Sequence, residues 1–213
     1  MSSTGHGEIA DGLINAGADI EAAAKGRSRA IHFASMAFDV DGARCVKLLV
    51  DAGADVNVRD AFGEGQTPLW YAAYNSSFAI VCTLVEANAE VDNPKYNTPM
   101  YVAAEFGFVE NVEYLLAHGA RIDTTKEKRI LLQPIHAAAT NGHIEVCARL
   151  LHWKADVNVK DDEGMSPLML AAGSGPEMVR WCLNHGALVH DVNKDGESAL
   201  HFAAETGANG ASS

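Results

Sequence analysis

The sequence predicts a mainly α repeat solenoid built from stacked helix-turn-helix units. Three observations carry that reading. A tetrapeptide recurs as Thr67-Pro68-Leu69-Trp70, Thr98-Pro99-Met100-Tyr101, Gln133-Pro134-Ile135-His136, Ser166-Pro167-Leu168-Met169 and Ser198-Ala199-Leu200-His201, with a weaker copy at Arg29-Ala30-Ile31-His32. Each copy is followed one residue later by a small-residue pair: Ala34-Ser35, Ala72-Ala73, Ala103-Ala104, Ala138-Ala139, Ala171-Ala172 and Ala203-Ala204. Between the copies runs a second phrase, clearest as Leu48-Leu49-Val50-Asp51-Ala52-Gly53-Ala54-Asp55-Val56-Asn57. Self-similarity at such a period marks an array of one supersecondary unit.

Each element follows from residue chemistry. Thr67, Thr98, Ser166 and Ser198 carry hydroxyls suited to capping a first helix, because the oxygen accepts an orphan backbone N–H. Pro68, Pro99, Pro134 and Pro167 then fall at the first helical position, where a missing N–H costs nothing. The small-residue pairs let first helices of neighbouring units approach closely. A second helix follows a short turn, as over Glu145 to His152, with Val146, Cys147, Leu150 and Leu151 facing inward. It ends at Gly17, Gly53, Gly119 or Gly186, residues suited to a left-handed C-terminal cap. Asn88 and Lys154 stand at the same place. Asn tolerates the left-handed region, whereas Lys is strained there by its Cβ.

The tetrapeptide spacings are 38, 31, 35, 33 and 32 residues, scattered about the 33 of ankyrin repeats. Gly142-His143-Ile144-Glu145-Val146 resembles that family's entry into its second helix. The chain therefore resembles an ankyrin-repeat array over nearly its whole length. The resemblance implies a single domain over residues 1–213: a half repeat at 1–28, complete repeats from 29, 67, 98, 133 and 166, and a half repeat at 198–213. A fragment of a longer protein is the expectation. The resemblance also implies β-hairpin fingers between repeats. It gives His32, His136 and His201 the role of tying adjacent repeats together by hydrogen bonds. Asn57 and Asn158 match the Asn that holds a finger's backbone, and they are candidate sites of asparaginyl hydroxylation.

Composition bounds the function. No apolar run approaches the ~20 residues needed to cross a bilayer, and the first thirty residues lack a signal-peptide pattern. A cytoplasmic protein, with the nucleus as the other compartment, is expected. Cys45, Cys82, Cys147 and Cys182 fall one to a repeat in second helices, which reads as reduced apolar filler rather than disulfides or metal ligands. The formal charge of −12 argues against a nucleic-acid partner. No cofactor and no metal are expected, and a monomer is.

No catalytic constellation stands out. The nine histidines are absorbed by the repeat register, and neither His-x-x-x-His nor Gly-x-Ser-x-Gly occurs. Gly63-Glu64-Gly65 and Gly173-Ser174-Gly175 lack the Lys-Ser/Thr of a phosphate loop. The expectation is a non-enzymatic scaffold that binds a protein through finger tips and the concave face of the first helices. The alternative is a regulatory or substrate-recruiting segment of a larger enzyme, ubiquitin-ligase adaptor or channel. Carried across residue by residue, the family's variable positions give Phe62, Tyr74, Asn75, Lys95, Tyr96, Phe106, Lys128 and Met165 as candidate protein-binding residues. Phe62, Tyr74, Tyr96 and Phe106 fall in two consecutive repeats, a concentration of aromatics that suits a hot spot.

Overall fold

The structure is a computed structural model that describes residues 5–61, 65–92, 98–123 and 132–210, with 207–210 described by backbone alone. Twelve α-helices are found among them. They are α1 (His6–Asn15), α2 (Ala30–Ser35), α3 (Val40–Asp51), α4 (Pro68–Tyr74), α5 (Phe78–Glu86), α6 (Pro99–Glu105), α7 (Val109–Ala117), α8 (Pro134–Thr140), α9 (Ile144–His152), α10 (Pro167–Ala171), α11 (Pro176–Asn184) and α12 (Ala199–Gly210). From α2 to α11, first helices of five to seven residues alternate with second helices of nine to 12, as the repeat demands. The four tetrapeptide prolines sit at the starts of α4, α6, α8 and α10.

Capping follows the hydroxyls in three repeats. Thr67 Oγ1 accepts from the Trp70 N–H at 3.3 Å, Thr98 Oγ1 from Tyr101 at 3.1 Å, and Ser166 Oγ from Met169 at 3.4 Å. Ser198 differs. Its hydroxyl lies 2.9 Å from His201 Nδ1, because the imidazole competes with the backbone for it. The second helices close as expected. Gly17, Gly53, Gly119 and Gly186 have φ between 85° and 90°, and Asn88 and Lys154 share the left-handed region at 64° and 75°. At Lys154 the Schellman pair is complete: Lys154 N–H donates to Leu151 O and Ala155 N–H to Leu150 O, each at 2.9 Å.

Two expectations change in detail. The fingers carry no β-strand among the described residues. One backbone bond closes each described finger: Asp60 N–H to Gln66 O at 3.1 Å, Asp161 to Met165 at 3.0 Å, Asn193 to Glu197 at 2.9 Å. Some of the other N–H groups reach a backbone carbonyl, as Gly164 does to Asp161 O and Lys194 to Glu163 O of the preceding finger, and others turn to side chains. Asp161 Oδ1 accepts from Glu163 and Met165, and Asn193 Oδ1 from Asp195 and Glu197. Such local acceptors compete with a strand ladder. The long first spacing also has a second source besides its finger: α3 has 12 residues against nine in α5, α7, α9 and α11.

The described residues fall into two compact units, one reaching Val102 and including Ala117–Ala120, the other made of Ala103–Leu116 and the chain from Arg121. In the first, α2 packs on α3 and α4, α4 on α5, and α3 on both α1 and α5. Ile31, Val46, Leu69, Ile80 and Leu84 are buried between these layers. In the second, α8 packs on α9 and α10, and α10 on α11 and α12. Ile135, Val146, Leu150, Leu168 and Met178 form its core, with the Ala138-Ala139 pair fully covered. Small side chains at that pair allow close helix approach, and the larger aliphatics fill the space between helix layers. Cys147 and Cys182 lie in this core as free thiols. Burial pushes the Cys147 thiol far up and Cys182 up to about 11, so both behave as apolar packing groups.

Candidate partner-binding surface

Two hydrogen-bond systems present the candidate surface. The first fixes the fingers. His32 Nδ1 accepts from the Arg29 N–H at 3.0 Å, and its Nε2 donates to Val58 O at 3.2 Å in the finger that follows. His136 repeats this arrangement with Gln133 N–H at 3.0 Å and Val159 O at 3.1 Å. The proton therefore sits on Nε2 in both. Burial pushes both imidazoles below their ordinary pKa. Asn57 and Asn158 clamp the next finger from the side. Asn57 Nδ2 donates to Asn88 O at 3.4 Å while its Oδ1 accepts from Glu90 N–H at 2.7 Å. Asn158 meets Gly186 O at 3.1 Å and Leu188 N–H at 2.9 Å. Both amides are thus engaged in holding backbone.

The second system fixes the turns between helices. In each, a side chain donates to the turn of the repeat before it: Asn75 Nδ2 to Met36 O at 2.9 Å, and His143 Nε2 to Glu105 O at 2.9 Å. Ser174 Oγ lies 2.5 Å from Thr140 O and 2.7 Å from Ala139 O. The donors differ in type, so no residue pattern in the sequence announces them.

Tyr74 and Phe106 stand on these turns, 44% and 43% exposed. Tyr74 stacks on Trp70 with ring centres 5.2 Å apart, and Phe106 on Phe108 at 6.0 Å. Each presents one aromatic face from a fixed base. Tyr74 belongs to the first unit and Phe106 to the second. Asn75 is half-buried and its amide is committed to Met36. Met165 is half-buried at a finger end, with Asn193 Nδ2 3.6 Å from its sulfur. Phe62, Lys95, Tyr96 and Lys128 lie outside the described residues.

Sequence reasoning missed Asp60, which is buried at 4% exposure. It accepts from Gln66 N–H at 2.9 Å and from the Tyr71 hydroxyl at 2.6 Å, anchoring this finger to the first helix. Burial and this bond push the Tyr71 phenol well above its ordinary pKa, so it donates at any physiological pH. An acidic residue ahead of a tetrapeptide is too common to have been singled out.

Repeated helix pairs, left-handed caps and, in two repeats, a histidine linked to the finger that follows define an ankyrin-type module. The sequence matches a family model described as "Ankyrin repeats (3 copies)" over two stretches, residues 31–128 and 135–212, and the chain belongs to the ankyrin-repeat family. It is 35% identical over 216 residues to the human transient receptor potential cation channel subfamily A member 1, covering 95% of this chain and 18% of that protein. It is 30% identical to the ankyrin repeat and KH domain-containing protein mask-1 of Caenorhabditis elegans, covering 97% of this chain and 8% of the relative. The chain thus spans less than a fifth of the length of either relative. Among solved structures, the human ASB11 ankyrin repeat domain is similar at a TM-score of 0.80 and 27% identity, covering 94% of this chain and 92% of that one.

Proposed function

We propose that this chain is a non-catalytic scaffold that binds a protein partner through its helix-helix turns and finger ends. The observation that carries the reading is the pair Tyr74 and Phe106. Each is a half-exposed aromatic stacked on a neighbour and mounted on a turn cross-linked to the adjacent repeat. A rigid aromatic presented from a fixed base gives contact area at low conformational cost. Met165 extends the surface at a finger end. The most perturbed titratable groups serve packing or finger anchoring: His32, His136, Tyr71 and the two core thiols.

A second reading is that the scaffold works as the recruiting segment of a larger protein, such as a channel or a ubiquitin-ligase adaptor. The 95% alignment of this chain to under a fifth of a channel subunit favours it.

Affinity capture followed by mass spectrometry, then titration of the captured protein, tests the first reading. Tyr74→Ala and Phe106→Ala should each weaken binding by ~2 kcal/mol, the scale of a hot-spot truncation. A partner held equally well by both folded variants would overturn the assignment of these residues.

A further inference from the structure

The turns between first and second helices hold an equivalent pair of residues, eight and nine past the start of the tetrapeptide. In three successive repeats the pairs are Asn75-Ser76, Phe106-Gly107 and Asn141-Gly142. The later member of each lies in the left-handed region, at φ of 58°, 78° and 72°. That conformation favours glycine, which has no Cβ to strain. The earlier member changes from repeat to repeat. At the third pair the turn therefore sets an exposed asparagine directly before a glycine. Asparagine is thermolabile. Its side-chain amide carbon lies one five-membered ring away from the next backbone nitrogen, and glycine is the following residue that hinders closure of that ring least.

Both groups that would react are engaged in the folded turn. Asn141 Nδ2 donates to Ala137 O at 2.9 Å, which holds the amide back along α8. Gly142 N–H donates to Ala139 O at 3.3 Å. The turn is also tied to its neighbours. Ser174 Oγ lies against the Ala139 and Thr140 carbonyls. His143 follows directly, with its N–H on Ala138 O at 2.9 Å and its ring Nε2 on Glu105 O. A change in the backbone at Asn141 is therefore felt in the repeats on either side.

We propose that Asn141-Gly142 is a site of spontaneous succinimide formation, slowed but not prevented by the folded turn. The Gly142 nitrogen gives up its proton to hydroxide and bonds to Asn141 Cγ. The Cγ–Nδ2 bond breaks, and the amide nitrogen leaves as ammonia with a proton taken from water. One water then opens the imide at either carbonyl, leaving aspartate or isoaspartate at position 141. Nothing is oxidised or reduced, and water is the only co-reactant. The reaction proceeds when the turn opens, and a turn opens at lower cost than the whole fold. Either product adds a negative charge at the position that Phe106 holds in the preceding repeat. Isoaspartate also lengthens the main chain by one carbon ahead of Gly142. It shifts the Gly142 and His143 N–H groups out of register with Ala139 O and Ala138 O, and with them the His143 ring at Glu105 O.

Incubation of the intact chain in mildly alkaline buffer, followed by peptide mapping with mass spectrometry, tests this. Asn141 should gain one mass unit, or three in heavy-oxygen water, and the product should separate into two isomers. Asn75 is the internal comparator. It stands at the same turn position, but Ser76 carries a Cβ, so Asn75 should react at least several-fold more slowly. In the urea-unfolded chain Asn141 should react several-fold faster than in the folded one. Ser174→Ala, checked for folding by circular dichroism, should fall between. The isoaspartate form, separated by chromatography, should unfold at lower urea than the unmodified chain. Asn141 left intact in the folded chain overturns the proposal, whether or not the unfolded chain reacts. Equal rates at Asn141 and Asn75 would mean that Gly142 does not make the pair reactive. Equal rates in folded and unfolded chains, or in wild type and Ser174→Ala, would overturn the restraint by the turn. An isoaspartate form as stable as the starting chain would overturn the stated loss of register.

Discussion

The imidazole of His143 lies flat against Gly107. A Cβ built on Gly107 would stand 2.6 Å from His143 Nδ1, and Gly107 has φ of 78°. The same ring donates from Nε2 to the Glu105 carbonyl. A backbone without a side chain is what lets the ring reach that acceptor.

Gly107→Ala should therefore destabilise the chain by about 2–4 kcal/mol, from left-handed strain plus the clash. Urea melts would measure it. In a His143→Ala background the clash is gone, so the cost should fall to the strain alone, and the double-mutant cycle reads the difference. Equal costs in both backgrounds would show that ring and glycine do not meet.

Lys154→Gly should stabilise by a few tenths to ~1 kcal/mol, because Lys holds φ of 75° where four other second helices have Gly. Asn88→Gly should gain less, since Asn tolerates that region. Lys154→Ala separates backbone from side chain: it keeps the Cβ strain and should show no such gain. Denaturant midpoints of the three variants decide the point. A clear loss in Lys154→Gly would mean the lysine side chain contributes more than its backbone costs.

Stability should fall in mild acid. Burial depresses the pKa of His32 and His136 below 6.5, and each Nδ1 must be unprotonated to accept its N–H. In the unfolded chain both bind protons at their ordinary pKa. The unfolded state thus binds more protons below about pH 6.5, and folding free energy drops as pH falls through the folded-state values. Urea midpoints at pH 7.5 and pH 5.0 should differ, and His136→Gln should narrow the difference while lowering both. An unchanged difference in that variant would remove His136 from the explanation.

Asn158→Ala should cost about 1–2 kcal/mol, since it releases Gly186 O and Leu188 N–H together. Asn158→Asp keeps the acceptor for Leu188 but loses the donor, and should fall between. Amide exchange at Leu188 should accelerate in the Ala variant and stay protected in the Asp variant. Unchanged exchange in both would contradict the clamp.

What could be read from the sequence was what repeats. The tetrapeptide placed the helix starts, and the glycine-like positions, including Lys154 with no glycine at all, placed the helix ends. The finger Asn and the tetrapeptide His came through because each is fixed in type and in distance from a landmark. The turn bonds did not. Asn75, His143 and Ser174 share a task but no chemistry beyond one donor, and the distance to their acceptors spans 34 to 39 residues. Asp60 was hidden differently: its finger is lengthened, so its distance to Thr67 departs from that of Asp161 to Ser166. The β-strands expected in the fingers gave way to side-chain acceptors only two to four residues from the donors they take.

The turn bonds also give faults a direction. In every case the donor belongs to the later repeat and the acceptor to the earlier one. A substitution at Asn75 therefore loosens the carbonyl at Met36, upstream of itself, rather than anything downstream. Damage to one turn travels toward the amino terminus. An alanine scan of this surface must be scored with that in mind: binding lost in Asn75→Ala reports a shifted neighbour as readily as a missing contact, whereas binding lost in Tyr74→Ala reports the ring.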